Sequence, residues 1–387
     1  MRLAVFSHKV CWVDPSSPRG HATDGGFAKQ MDALADLFDE TIVHVPVVAD
    51  PPPGAAAAQS AFTNPRLTVA PLPHLRGSGM RRRLRLPGWV LRSVPSLVRG
   101  VHRADAVHAP IPGDIGSVGI VLAEVWRRPL LVRYCGNWLV ERTRAERLWH
   151  TYMRRRGGGR RVMLATGGQP EPPAPTNPSV TWIFSASLRS DELPDAGPTH
   201  KPAPDQGLRL ITVGRQEPYK GTGAIIEAMP AIREAHPDTT LDVVGAGSGL
   251  DGFRELADRH GVADAVEFHG LVHHDDVIEL LRRAHVFVFP TRSEGFPKVV
   301  AEALACGTPV VASPVSVIPT IIDDTVGALL DDDSAASITQ AVHAVAGAGW
   351  ADRSRAAVEL GRTFTLDGWR DAIAARLEPV WGPLRST

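Results

Sequence analysis

The stretch 286-VFVFPTRSEGFPKVVAEALACGTPVV-311 changes its periodicity twice within 26 residues. Val286 to Phe289 is an apolar run with the length and β-type composition of a strand buried on both faces. A turn with Glu294, Gly295, Phe296 and Pro297 follows. Lys298 to Cys306 then takes helical spacing, stopped by Gly307 at the C′ position with Pro309 just beyond, and Val310 and Val311 open another strand. The unit is strand, acid-bearing turn, helix, strand. Glu294 falls where the carboxyl end of a strand meets a helix N-terminus, the usual ligand position in a doubly wound sheet.

Glu302 lies eight positions after Glu294, on the helix. Two acids so spaced suit a ligand with hydroxyl groups at both ends and an anion between them. Each carboxylate accepts paired hydrogen bonds, and the amides of the first helical turn face the anion. Pro297 at the helix start removes an N–H that has no intrahelical partner anyway. The alternative is a loop acid and a solvated helix acid with no shared ligand.

Glu294, Gly295, Phe296, Glu302, Ala303, Ala305, Gly307, Pro309, Val310 and Val311 together resemble the signature of retaining nucleotide-sugar glycosyltransferases of the family 4 type. That resemblance implies the GT-B fold, two Rossmann-like α/β domains with doubly wound parallel sheets facing across a cleft. It also implies a nucleoside diphosphate sugar as donor. Glu294 would hold the transferred sugar in a catalytic role, and Glu302 the nucleotide ribose.

The flanking chain extends the pattern. Arg209 to Val213 reads as a strand entering VGRQEPYKG, in which Gly214 permits a tight turn and Arg215 and Lys220 project cations from the strand's carboxyl end. Two cations can neutralise a departing diphosphate without a metal. In the resembled family they clamp it, so no metal and no separate cofactor is expected. Gln216 stands where that family commonly has Leu, a difference that looks minor. The run Gly245 to Gly249 resembles a dinucleotide fingerprint, which is weak alone, and is expected to shape the base-side wall. Val272, after the strand Val266 to Gly270, is an expected backbone contact to the base. His273, His274, Asp275 and Asp276 read as a helix start with Asp as its cap, in preference to a metal site.

In the first half, Leu3 to Ser7 reads as a buried strand, followed by a long loop rich in Pro, Ser and Gly. That loop ends in Asp24, Gly25 and Gly26 before a helix from Phe27. Paired glycines there let a backbone approach a phosphate; the resemblance places Gly25 and Gly26 against the donor diphosphate. Ala106 to His108 reads as a short strand with His108 at its carboxyl end, and the resemblance gives His108 a contact with the donor sugar during catalysis. Arg133, Asn137 and Trp138 follow the next strand and are candidates for acceptor recognition by charge, amide and stacking; a packed Trp and a paired Arg are the alternative.

With 387 residues and 43% hydrophobic composition, two cores can be buried. The expected divisions are 1–192 as acceptor domain, 193–207 as a Pro-rich linker, 208–364 as donor domain, and 365–387 as a helix returning to the first domain. Net charge is zero but polarised: Met1 to Arg189 has 25 Lys and Arg against 13 Asp and Glu, and the remainder 17 against 29. No acid occurs between Asp50 and Asp105, where Arg76, Arg81, Arg82, Arg83, Arg85, Arg92, Arg99 and Arg103 interleave with Leu84, Leu86, Trp89, Leu91 and Leu97. A cationic amphipathic helix of this kind fits a peripheral contact with an anionic membrane through Arg76–Arg103, or an anionic or lipid-linked acceptor. A solvated Arg-rich helix is the alternative. Nucleic acid is not expected, because no recognition motif accompanies the charge.

Three dispersed cysteines, Cys11, Cys135 and Cys306, form neither a disulfide framework nor a zinc spacing. No long apolar stretch and no leader-like start is present, so a cytoplasmic location is expected. The functional expectation is a retaining glycosyltransferase acting on a hydroxyl acceptor. An epimerase or phosphorylase of the same fold, or a non-catalytic binding module, are the alternatives.

Overall fold

The computed structural model describes residues 1–75, 79–141, 143–193, 204 and 207–386, with the side chains of 79–83 and 86 outside that set. Arg76, the side chains of Arg81, Arg82, Arg83 and Leu86, and most of the expected linker therefore lie outside the described residues. The chain divides into two compact units, Met1–Phe184 with Leu366–Thr387, and Ser185–Thr365.

In the first unit the chain runs β1 (Arg2–Phe6), β2 (Cys11–Val13), β3 (His21–Asp24), α1 (Phe27–Ala35), β4 (Glu40–Val48), β5 (Gln59–Ala61) and β6 (Leu67–Leu72). It continues through α2 (Gly79–Arg103), β7 (Ala106–Ile111), α3 (Asp114–Val125), β8 (Leu130–Tyr134), α4 (Arg144–Arg156), β9 (Arg161–Thr166) and β10 (Val180–Ile183). The sheet order is β10-β9-β8-β7-β1-β4-β2-β3-β5, with β6 also paired to β4. Its central pairs are parallel, and their strands are nearly continuous apolar runs because helices cover both faces. Trp89, Leu97 and Val101 of α2, Ile120 and Ala123 of α3 and Met153 of α4 bury one face.

The loop expected after β1 is in part a sheet extension. Thr23 and Trp12 are buried in it, and β3 pairs antiparallel with β2 and β5. Strands of three or four residues carry too few side chains to show a period. The strand containing His108 runs three residues past its expected end, so His108 lies in mid-strand and is buried.

The second unit contains β11 (Arg209–Val213), α5 (Thr222–Ala235), β12 (Thr240–Val244), α6 (Leu250–Arg259), β13 (Val266–Gly270), α7 (His274–Arg283) and β14 (Val286–Phe289). It is completed by α8 (Lys298–Ala305), β15 (Val310–Ala312), β16 (Gly327–Leu329), α9 (Ala335–Ala346) and α10 (Trp350–Gly361). Its sheet is parallel throughout, ordered β13-β12-β11-β14-β15-β16. Alternate residues of these strands feed two cores, Leu210, Val243 and Val288 on one face and Ile211, Val244 and Phe287 on the other. This is the doubly wound α/β arrangement that the β14–α8–β15 pattern predicts.

The final helix, α11 (Leu366–Trp381), belongs to the first unit. Trp369 is fully buried there, Arg370 reaches Asp36 at 3.8 Å, and Arg376 donates to Thr181 at 3.0 Å. The C-terminal segment thus crosses back onto the domain where the chain began.

Candidate functional site

Two loops at the carboxyl ends of neighbouring strands β11 and β14 build the centre of the second unit. After β11, the chain turns at Gly214 and forms a single 3₁₀ turn, Pro218–Lys220, ended by Gly221. Gly221 has φ of 80°, and a Cβ there would stand 2.3 Å from the Pro290 carbonyl, so no other residue fits without moving the β14 loop. That close approach sets Lys220 beside the acid turn. Its ammonium forms an ion pair with Glu294 and lies over the rings of Tyr219 and Phe289, at 5.4 and 5.6 Å. Thr291 Oγ1 donates to the same Glu294 oxygen at 3.2 Å. Both charged side chains are well shielded, at 13% and 14% exposure, so their attraction is only weakly screened.

Arg215 reaches the same group through Tyr219, donating to its hydroxyl at 2.8 Å. Gly295 is braced from behind, since Ser316 Oγ donates to its carbonyl at 2.7 Å. Phe296 packs against the α8 core, with its ring 5.8 Å from that of Phe364. Val272 is partly buried against the same core, after Gly270 has accepted from the Gly245 amide at 2.7 Å.

Glu302 sits one turn into α8 and is buried. Its Oε1 lies 3.0 Å from His274 Nε2. Burial opposes its ionisation most strongly. The hydrogen bond and charge of His274, the charge of Lys298 and a hydrogen bond from Ser187 outweigh that and hold it below the usual carboxylate range. The helix start does not use the expected Asp cap: His273 is the N-cap and accepts from the Asp275 amide, while Asp275 and Asp276 lie within the first turn of α7.

Gln216, an apparently minor departure, proves central to the loop. It is buried, donates to the Gly214 and Val244 carbonyls at 3.1 and 2.9 Å, and accepts from Thr222 at 2.7 Å. The glycines that resemble a fingerprint face this loop. A Cβ at Gly245 would meet the Gly214 carbonyl at 2.0 Å, and one at Gly247 the Gln216 carbonyl at 2.3 Å. Loop against loop accounts for both.

Other sequence candidates lie in the first unit. Gly25 takes the left-handed conformation (φ 66°) and Gly26 is the N-cap of α1, which no side chain caps. Beside them Lys9 pairs with Asp24 at 2.8 Å. His108 hydrogen-bonds through Nδ1 to the Leu131 carbonyl at 3.1 Å; burial first, then the charge of Arg133, pushes its pKa down to about 3. Arg133 is itself buried, donating to Gln30 at 3.0 Å and stacking over Trp369 at 5.1 Å. Trp138 is buried, bonded to the Pro173 carbonyl at 2.8 Å and stacked on His150 at 4.0 Å. Asn137 is half-buried and accepts from the Leu139 amide at 2.9 Å. Among the described residues, Asp242, Glu267 and His269 on β12 and β13 bring potential metal-ligating atoms within 4.8 Å of one another. His269 there is already hydrogen-bonded to Asp242 at 2.7 Å.

Residues 199–348, which contain this loop constellation except Ser187 and Phe364, match the family model described as glycosyl transferases group 1. A D-inositol 3-phosphate glycosyltransferase of Mycobacterium marinum is 30% identical over 320 residues, 71% of this chain and 66% of that protein. The chain belongs to the group 1 glycosyltransferases. Within that family it is also similar to a GDP-mannose-dependent phosphatidylinositol monomannoside mannosyltransferase of Mycolicibacterium smegmatis, 32% identical over 48% of this chain and 54% of the relative. The chain thus spans two-thirds or less of the length of these relatives. An Anabaena protein crystallised with UDP-glucose shares the fold at a TM-score of 0.68 and 16% identity, covering 98% of this chain and 100% of its own. A sucrose-phosphate synthase from Thermosynechococcus elongatus does so at 0.69 and 16%, covering 98% and 99%. Both likenesses concern the fold, which is GT-B.

Proposed function

We propose that this chain transfers a sugar from a nucleoside diphosphate sugar to a hydroxyl acceptor with retention of anomeric configuration. The Lys220–Glu294 pair beside Arg215, at the carboxyl ends of two adjacent strands, carries the proposal. Arg215 and Lys220 neutralise the departing diphosphate, Glu294 and the Gly295–Phe296 turn hold the transferred sugar, and Glu302 holds the ribose. Gly214 and Val272 shape the donor pocket. With no protein nucleophile assigned, the leaving phosphate assists front-side attack by the acceptor, and two fixed cations supply the charge that a metal would otherwise provide. Buried and neutral, His108 serves the packing of β7. Arg133 ties β8 to α1 and α11 through Gln30 and Trp369, and Trp138 packs on His150 of α4, so of the acceptor candidates Asn137 alone is left half-buried.

Incubation with a panel of nucleotide sugars tests this directly. Release of nucleoside diphosphate that depends on acceptor, and persists in a chelator, is the expected result. Epimerised donor, or no turnover of any donor, contradicts it.

The partner proposal is an anionic membrane surface. Leu84 and Leu91 on α2 are 77% and 78% exposed, and Arg85, Arg92 and Arg99 are exposed beside them. Val121 and Val125 of α3 and Leu148 of α4 are also exposed on helices that cover the same sheet face. Trp89, expected among the interfacial groups, instead turns inward and donates to the Pro73 carbonyl at 2.6 Å. Among the described residues no helix is long and apolar enough to cross a membrane, so contact would be peripheral. Co-sedimentation with vesicles containing anionic lipid, falling as salt rises and lost in Leu84→Asp/Leu91→Asp, is expected. Equal sedimentation of the double variant contradicts it.

A further inference from the structure

His274 belongs to no motif that led to the donor site. It is the first residue of α7, in a segment whose composition reads as a cap, and His273 alone performs the capping. The His274 ring turns instead toward α8 and places Nε2 3.0 Å from Glu302 Oε1. Ser187, at the start of the second unit, hydrogen-bonds the same carboxylate. Glu302 is only 8% exposed, so these partners fix its orientation in a space where it would otherwise be costly to hold charged.

We propose that His274, assisted by Ser187, is a positioning residue that presents Glu302 to the two ribose hydroxyls of the donor. The inference rests on the reading of Glu302 as the ribose carboxylate. A carboxylate has about four acceptor positions. Two protein donors occupy part of that capacity and lock the group's rotation, leaving the rest aimed at a vicinal diol. A diol that donates to an already oriented carboxylate does not have to order it on binding. The groups facing Glu302 are His274 from α7, Lys298 from its own helix and Ser187 from the segment before β11. Removing His274 takes away a hydrogen bond and a nearby source of positive charge, so the carboxylate gains protons at higher pH.

The test is calorimetric titration of UDP, GDP and ADP, followed by the 2′-deoxy and 3′-deoxy forms of whichever binds best. His274→Ala is expected to weaken the ribonucleotide roughly tenfold, the scale of one charge-assisted hydrogen bond, and to leave the deoxy forms nearly unchanged. His274→Gln, whose amide can still donate, restores part of the difference. The acid limb of ribonucleotide binding moves to higher pH in His274→Ala. Equal loss for ribose and deoxyribose ligands, or a wild-type ratio in His274→Ala, overturns the proposal. Glu302→Gln separates the two claims: if it removes the ribose preference while His274→Ala does not, the positioning role alone fails. If Glu302→Gln also keeps the preference, the ribose assignment fails with it.

Discussion

Lys220→Ala is expected to slow sugar transfer on the order of a thousandfold, the usual scale for losing one preorganised charge at a developing anion. Its ammonium is held by an ion pair to Glu294, by the flanking rings of Tyr219 and Phe289, and by the close fit of Gly221 under Pro290. None of that has to reorganise when the diphosphate leaves, so the loss falls mainly on kcat. Glu294 then remains at 14% exposure without its cation, and the variant loses stability by about 1–3 kcal/mol. The double variant Lys220→Ala/Glu294→Ala removes that uncompensated charge. It should be more stable than Lys220→Ala and little slower, because the two side chains act as a unit. Lys220→Arg is not expected to rescue, since a planar guanidinium cannot take the place of an ammonium packed between two rings. Steady-state rates and melting temperatures of the four proteins check this. Turnover of Lys220→Ala within tenfold of wild type contradicts the assignment.

A second large effect is acid destabilisation of the first unit between about pH 6.5 and pH 4, set by buried imidazoles with ordinary unfolded values near 6.5. His44 stacks on Phe6 at 4.8 Å, lies under Gly100 and, among the described residues, has no hydrogen-bond partner for either ring nitrogen. Burial pushes its pKa down to about 4, while burial and the charge of Arg133 push that of His108 down to about 3. His150 is lowered too, by burial that the hydrogen bond and charge of Glu141 only partly offset. In each case the unfolded chain binds the proton first. Stability is therefore intact above the unfolded value and drains as pH falls toward the folded one, by up to about 1.4 kcal/mol per pH unit for each group. Denaturation midpoints of the first unit should drop steeply from pH 7 to pH 5. His108→Asn should flatten that slope. A slope unchanged in His108→Asn, or midpoints flat across the window, would count against neutral burial.

The donor loops were legible because their signals are local. The apolar run Val286–Phe289, Pro297 ahead of α8 and Gly307 after it mark each boundary within a few residues, and the structure has β14 and α8 at these positions. Lys220 and Glu294 were each visible as charges at strand ends, yet their pairing spans 74 positions and depends on the glycine at 221. His274 and Gln216 were missed for the same physical reason. Their roles come from partners brought near by packing, Glu302 28 positions away and the Val244 carbonyl 28 positions away, and no spacing rule marks either. Gly245 to Gly249 carried a local signal with two causes, a ligand or an approaching loop, and the loop supplies one without a ligand. The strands β2, β3 and β5, of three or four residues each, are too short for alternation to register, so their pairing appears only in three dimensions.

The central claim is that fixed cations and acids of the second unit surround one diphosphate-linked sugar. Calorimetric titration of wild type and Arg215→Ala/Lys220→Ala with a nucleoside, its diphosphate and its diphosphate sugar tests it most directly. The account predicts that wild type binds the diphosphate forms at least tenfold more tightly than the nucleoside, roughly 1.4 kcal/mol or more, and that the double variant loses this preference. Binding by wild type that is indifferent to the diphosphate, or a preference that survives loss of both cations, would contradict it.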